Sequence, residues 1–277
     1  MPANNNNNIK IANITEEILN SKKYSHIERK LVERICEETI PKYRQKSDII
    51  KAVKKELHII HGSFLSENCH TQADKLIDAY SGHNIKADKT FALKLMALHA
   101  STRERLKQAP EIYLYLSSFI KAEDTVIDIG CGFNPLALPF YDTLPKSYFA
   151  FDISISTIHT LTKYFALANF PYQAEIYDAV TQTPRVQTDV ALLLKLFPLL
   201  ERQKKGSAFS ILNAISFRSA IVSFPLKSAS GKEKGMETFY ALSFEKGLPQ
   251  ELEIADKTIF KNEMFYAVRR KSSCFIR

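Results

Sequence analysis

Within Val126–Ala137, reading VIDIGCGFNPLA, an acid and two glycines stand where a strand must turn into a helix. Asp128 belongs to the run of strand formers, Gly130 and Gly132 let the backbone approach a ligand closely, and Pro135 suits the first turn of a following helix. The chemistry open to such a turn is the holding of a nucleoside-bearing cofactor. Its spacing narrows the choice. A dinucleotide fingerprint needs a third glycine where Pro135 stands, and no Gly-Lys-Ser/Thr follows to make a phosphate loop.

Two more acids end the next apolar runs, at the strand ends where open α/β sheets bind ligands. Ser147–Asp152 (SYFAFD) places Asp152 roughly 20 residues past the glycines, where a carboxylate takes ribose hydroxyls. Residues 174–180 (AEIYDAV) offer Asp178 to an adenine amino group, and the buried run 188–196 (TDVALLLKL) flanks the same place. Ile153, Ala179 and Leu194 complete the expected walls. An acid followed by G-x-G resembles motif I of the class I S-adenosylmethionine-dependent methyltransferases. A dinucleotide oxidoreductase is disfavoured by the missing glycine, whereas a methyltransferase for a small molecule or protein would share this turn.

Four blocks carry a more specific resemblance: His99–Leu106 (HASTRERL), Asp128–Pro139 (DIGCGFNPLALP), Leu194–Leu200 (LKLFPLL) and Ser223–Tyr240 (SFPLKSASGKEKGMETFY). They are similar to the Arm/Rmt aminoglycoside-resistance methyltransferases, over about residues 15 to 270. Thr238 and Phe239 depart from the Glu and Asn that relatives often carry. The resemblance implies a class I, Rossmann-like α/β fold with a mostly parallel seven-stranded sheet and an all-helical N-terminal domain. It implies S-adenosylmethionine as cofactor and N7 of guanine 1405 in 16S rRNA of the 30S subunit as acceptor, with N1 of adenine 1408 as the alternative. It also favours Arg105 as a bidentate partner of the cofactor's methionine carboxylate.

N7 of guanine has a free lone pair, so no catalytic base is expected. Recognition of RNA is expected from Lys195 and Arg202 and from the segment past the fifth strand, where Lys227, Lys232 and Lys234 can reach phosphates. Met236, beside Glu237, is a candidate to pack against an extruded base.

The net charge of +8 points to an anionic partner, and its distribution points to the N-terminal region. From Ser47 to Gly62, Ile49, Ile50, Val53, Leu57 and Ile60 recur at helical spacing, with Lys51, Lys54, Lys55 and His58 on the other face. Ser47 is the expected N-cap and Gly62 the expected C-cap. Lys22 and Lys23 extend the basic region; a solvated helix face is the bland alternative. Residues 1–13, with their asparagine run, are expected to be disordered, 14–107 to form helices near 14–19, 25–38, 47–62, 71–80 and 90–100, and 108–277 to form the methyltransferase domain. Four cysteines without a C-x-x-C pair suit a reduced, cytoplasmic protein, and Cys131 is expected to pack rather than react. No metal site, no membrane span and a monomer are expected.

Overall fold

The computed structural model describes residues 2–62, 68–226 and 236–271. Its N-terminal helices are α1 (Pro2–Leu19), α2 (Arg29–Thr39), α3 (Lys46–Leu57), α4 (Cys69–Asp78), α5 (Lys89–Met96), α6 (Ala100–Arg103) and α7 (Ala109–Ser117). The first three pack through Ile14, Ile18, Val32 and Val53, all fully buried. Each such burial is worth about 1.5 to 3 kcal/mol relative to exposure. That packing explains a departure from the sequence expectation. With Ile11, Ile14 and Ile18 anchored on one face, α1 propagates back through the asparagine run instead of beginning near Ile14.

Caps also differ from expectation. Helix α3 starts from Gln45, so Ser47 lies inside the first turn, and its regular winding ends at Leu57 in a π-helical turn, His58–Gly62. Helix α2 starts at Arg29 because the Glu28 side chain accepts the Leu31 N–H at 2.9 Å.

From Thr125 onward, short apolar strands alternate with helices: β1 (Thr125–Ile129), β2 (Ser147–Asp152), α8 (Ile155–Leu167), β3 (Gln173–Ile176), β4 (Val190–Leu194), α9 (Phe197–Gln203), α10 (Ser207–Ala214), β5 (Ser219–Pro225), α11 (Met236–Gly247), β6 (Leu252–Phe260) and β7 (Glu263–Arg270). Among the described residues these strands form one seven-stranded sheet, ordered β3-β2-β1-β4-β5-β7-β6. Pairing is parallel from β3 through β5, and β7 runs antiparallel to both its neighbours. The closing pair, expected as 252–260 and 264–270, is observed with Glu263 added. Strand order reverses between β1 and β4, so their carboxyl ends open a crevice on one edge.

The helix expected after β1 is a 3-10 segment, Asn134–Phe140. Pro139 inside it removes an N–H that an α-helix would need. Among the described residues no helix is long and apolar enough to cross a membrane, and no cluster of His, Cys, Asp or Glu is arranged to hold a metal ion.

Candidate functional site

The crevice is built by the turn after β1. Gly130 and Gly132 both have positive φ, +65° and +50°, a region costly for any residue with a Cβ. Space is equally restrictive. A Cβ on Gly130 would stand 2.8 Å from Leu196 Cδ1, and one on Gly132 would stand 3.0 Å from His99 Cε1. The turn is clamped from behind by two N–H donors, Gly130 and Cys131, bonding to the Phe151 carbonyl at 2.8 and 3.0 Å. Cys131 is buried, and burial pushes its thiol well above the ordinary range, which suits packing rather than nucleophilic chemistry.

Asp152, at the end of β2, faces this turn. Its Oδ2 accepts the Gly132 N–H and its Oδ1 the Ser154 N–H, both at 2.9 Å. Burial raises its pKa while these backbone donors pull the other way. The carboxylate is thereby fixed in orientation and still has lone pairs to offer a hydroxyl.

Asp178 follows β3. Its Oδ1 accepts the Val180 N–H at 2.9 Å, and its Oδ2 accepts Arg34 Nε at 3.0 Å. Gly130, Gly132, Asp152, Ile153, Asp178, Ala179 and Leu194 all line a single pocket of about 810 Å³, mouth included. Its remaining wall comes from residues to which no cofactor role was assigned from the sequence: Ile60 from the N-terminal helices, His99 before α6 and Ser101 in it, Thr157 on α8, Tyr177, Lys195, and Leu196, Leu199, Leu200 and Gln203 around α9. Burial, aided by His70, Arg105 and Lys195, pushes His99 down to about 3, so its ring is neutral near pH 7. Its Nδ1 is 2.8 Å from Ser101 Oγ.

Three expected residues behave differently. Arg105 is 3% exposed and does not line the pocket. Its Nε and Nη2 donate to the two Glu263 carboxylate oxygens at 2.8 and 2.7 Å, and its Nη1 donates to Asn134 Oδ1 at 2.9 Å. The fork expected for a cofactor carboxylate is thus turned to a protein one, because a buried guanidinium needs a buried counter-charge. Asp128 is also behind the pocket surface, accepting from Asn134 Nδ2 at 2.8 Å and Tyr148 OH at 2.7 Å. Burial raises it to about 6 against those hydrogen bonds.

Lys195, expected to reach RNA, is 7% exposed, with Nζ 2.6 Å from Glu104 Oε2 and 3.4 Å from Glu263 Oε2. It serves as a second counter-ion to Glu263, and its own backbone takes positive φ, +57°, with its N–H donated to Ser223. Asn134 and Glu263, the hubs of this network, went unrecognised in the sequence.

Basic residues of the helical region meet at a second cleft. Lys42, Lys51, Lys55, Arg34 and Arg202 line it, together with Ile60 and Gln203, which also line the pocket. Lys51 and Lys55 are exposed, Lys54 is half-buried, and Arg202 lies 3.9 Å from Glu56. Lys22 and Lys23 are exposed after α1, outside this cleft. Lys227, Lys232 and Lys234 lie outside the described residues, as do the side chains of Met236 and Glu237 at the start of α11.

The two regions are sewn together at the pocket. Ile27 and Ser154 form an antiparallel bridge, Ile155 N–H donates to the His26 carbonyl at 3.0 Å, and Ile153 packs on the N-terminal core.

Known proteins are similar to this chain in sequence and in fold. A 16S rRNA (guanine(1405)-N(7))-methyltransferase of Serratia marcescens is 34% identical over 253 residues, 91% of this chain and 96% of the relative. One of Proteus mirabilis is 29% identical over 94% of this chain and 97% of its own length. The crystal structure of the 16S rRNA methyltransferase RmtF in complex with S-adenosyl-L-homocysteine superimposes with a TM-score of 0.86, at 30% identity, covering 95% of this chain and 98% of that one. The 16S rRNA methylase RmtB gives 0.80 at 30% identity, covering 94% and 98%. The family model described as ribosomal RNA methyltransferase (FmrO) matches residues 20–266, and the chain belongs to that family.

Proposed function

We propose that this chain transfers a methyl group from S-adenosylmethionine to N7 of guanine 1405 in 16S rRNA, and so confers resistance to 4,6-disubstituted deoxystreptamine aminoglycosides. The observation that carries the proposal is the pocket itself. Its glycine turn, Asp152 and Asp178 stand in order at successive strand ends, in a chain whose full-length relatives bear that activity. The donor set fits the cofactor: Asp152 is oriented to accept ribose hydroxyls, Asp178 to accept an amino group, and Ile153, Ala179, Leu196 and Leu199 offer apolar surface to a flat ring. No phosphate cradle is needed. When bound, S-adenosylmethionine supplies an electrophilic methyl group on its sulfonium sulfur.

The chain's own part is to position and to exclude water. N7 carries no proton to be removed, so the neutral His99 and the fully paired Lys195 are under no demand to act as bases. In-line placement in a desolvated pocket carries the acceleration. N7 lies in the deep, narrow major groove of A-form RNA, so the nucleotide must leave its stack, at a cost of a few kcal/mol. Phosphate contacts to Lys51, Lys55 and Arg202 at the second cleft can offset that cost. We take the substrate to be the 30S subunit and the enzyme to be a cytoplasmic monomer working without metal.

The test is to incubate the protein with isolated 30S subunits and methyl-labelled cofactor, then map the modified nucleotide. Label on N7 of guanine 1405 supports the proposal. Label on N1 of adenine 1408, or on no rRNA nucleotide, refutes it.

A further inference from the structure

Arg34 is on α2, in the helical region, yet its guanidinium ends behind the wall of the pocket in the other domain. It is 144 residues from Asp178 and 169 from Gln203 in the chain. Its Nε donates to Asp178 Oδ2 at 3.0 Å, its Nη2 to Gln203 Oε1 at 2.7 Å, and its Nη1 to Glu38 Oε1 at 3.2 Å. The Arg34 and Asp178 side chains are 12% and 14% exposed, so salt screens the pair weakly. Asp178 and Gln203 line the cofactor pocket; Arg34 and Gln203 line the basic cleft. One planar group therefore ties the β3 loop, α9 and α2 together where pocket and cleft adjoin.

Resting on the cofactor reading of the pocket given above, we propose that Arg34 is a positioning residue for recognition of the adenine. It holds the Asp178 carboxylate, already anchored on one oxygen by the Val180 N–H, at the angle from which it accepts the adenine amino group, and sets Gln203 beside it. The cofactor pocket is thus completed by the helical domain rather than by the sheet alone. A lysine cannot replace it, because the two acceptors sit on different elements and are met by two divergent N–H groups of a rigid fork.

The experiment is a double-mutant cycle read by calorimetry on the full chain, with S-adenosylhomocysteine and adenosine as probes. Arg34→Met should weaken both probes by about tenfold, and by the same factor, yet change affinity little in an Asp178→Asn background. Arg34→Lys, which keeps the charge and is run in parallel in case the methionine variant fails to fold, should not restore affinity. Wild-type affinity in folded Arg34→Lys or Arg34→Met, while Asp178→Asn binds weakly, overturns the role of Arg34 alone. Equal losses for Arg34→Met with and without Asp178 also overturn it, since they mean that Arg34 acts only through domain stability. Unchanged affinity in Asp178→Asn removes Asp178 from adenine recognition, and this proposal with it, whereas failure of the parent chain to bind S-adenosylhomocysteine removes the cofactor reading itself.

Discussion

Arg105 and Glu263, 158 residues apart in the chain, close on each other through two hydrogen bonds of 2.8 and 2.7 Å with almost no exposure to solvent. This pair joins the turn after α6 to the start of β7, behind the pocket wall that Lys195 lines. Burial alone would raise the Glu263 pKa, but Arg105 and Lys195 overcome it and hold the carboxyl at about 2 against an ordinary 4.5. Because the folded pKa is the lower one, the stabilisation is complete above pH 4.5 and is lost as pH falls toward 2. Glu263→Gln should cost about 3 to 5 kcal/mol at neutral pH by stranding a buried cation. Chemical denaturation across pH 2 to 7 checks this. A variant as stable as the parent at pH 7, or equally acid-sensitive below 4.5, would show the pair to be energetically idle.

Gly132→Ala should abolish cofactor binding while leaving a folded protein. Positive φ costs a non-glycine residue roughly 1 to 2 kcal/mol, and the new methyl would meet the His99 ring at 3.0 Å. Titration with S-adenosylhomocysteine, alongside a thermal melt, separates the two effects. Parent-like affinity would mean that the turn does not touch the ligand.

Asp152→Ala should weaken S-adenosylmethionine binding by about 1.5 to 3 kcal/mol through loss of charge-assisted hydrogen bonds. Calorimetry on the folded variant measures the change directly. No change would take Asp152 out of the site.

Changing Lys51, Lys54 and Lys55 together to Glu should leave cofactor affinity intact and greatly weaken 30S binding, with milder alanine variants showing a shallower salt dependence. Filter binding at several salt concentrations reads both. Parent-rate methylation of 30S subunits by the triple variant would reduce α3 to a solvated face.

Bacteria expressing the chain should tolerate gentamicin, kanamycin and amikacin and stay sensitive to neomycin and apramycin. A methyl on N7 adds positive charge and bulk where the cationic 4,6-disubstituted drugs make contact. Inhibitory concentrations for the five drugs decide it, and high apramycin resistance would argue for adenine 1408.

The sheet was legible because its signals are local. Glycines after β1, an acid at the end of β2 and another after β3, and the 252–260 and 264–270 runs each announce a strand end within a few residues. The pocket residues adjoining those ends followed with them. What stayed hidden is long-range. Arg105 and Lys195 both appear in sequence as free cations, and only folding brings Glu263 between them. Arg34 forms an ordinary i,i+4 pair with Glu38, and nothing in that spacing foretells Asp178. The asparagine run of α1 misled for the opposite reason: its residues are poor helix formers, and tertiary burial of Ile11, Ile14 and Ile18 outweighs that preference.

The sharing of Ile60 and Gln203 between pocket and cleft bears on inhibitor selectivity. A cofactor-shaped compound confined to the glycine turn and Asp152 would meet surfaces that any methyltransferase of this fold offers. One extended past the adenine, with an apolar contact for Ile60 and an anionic tail for Lys51, Lys55 and Arg202, would occupy a seam that exists only where a helical domain is docked on the sheet. Enzymes lacking that domain have no such seam and would be spared.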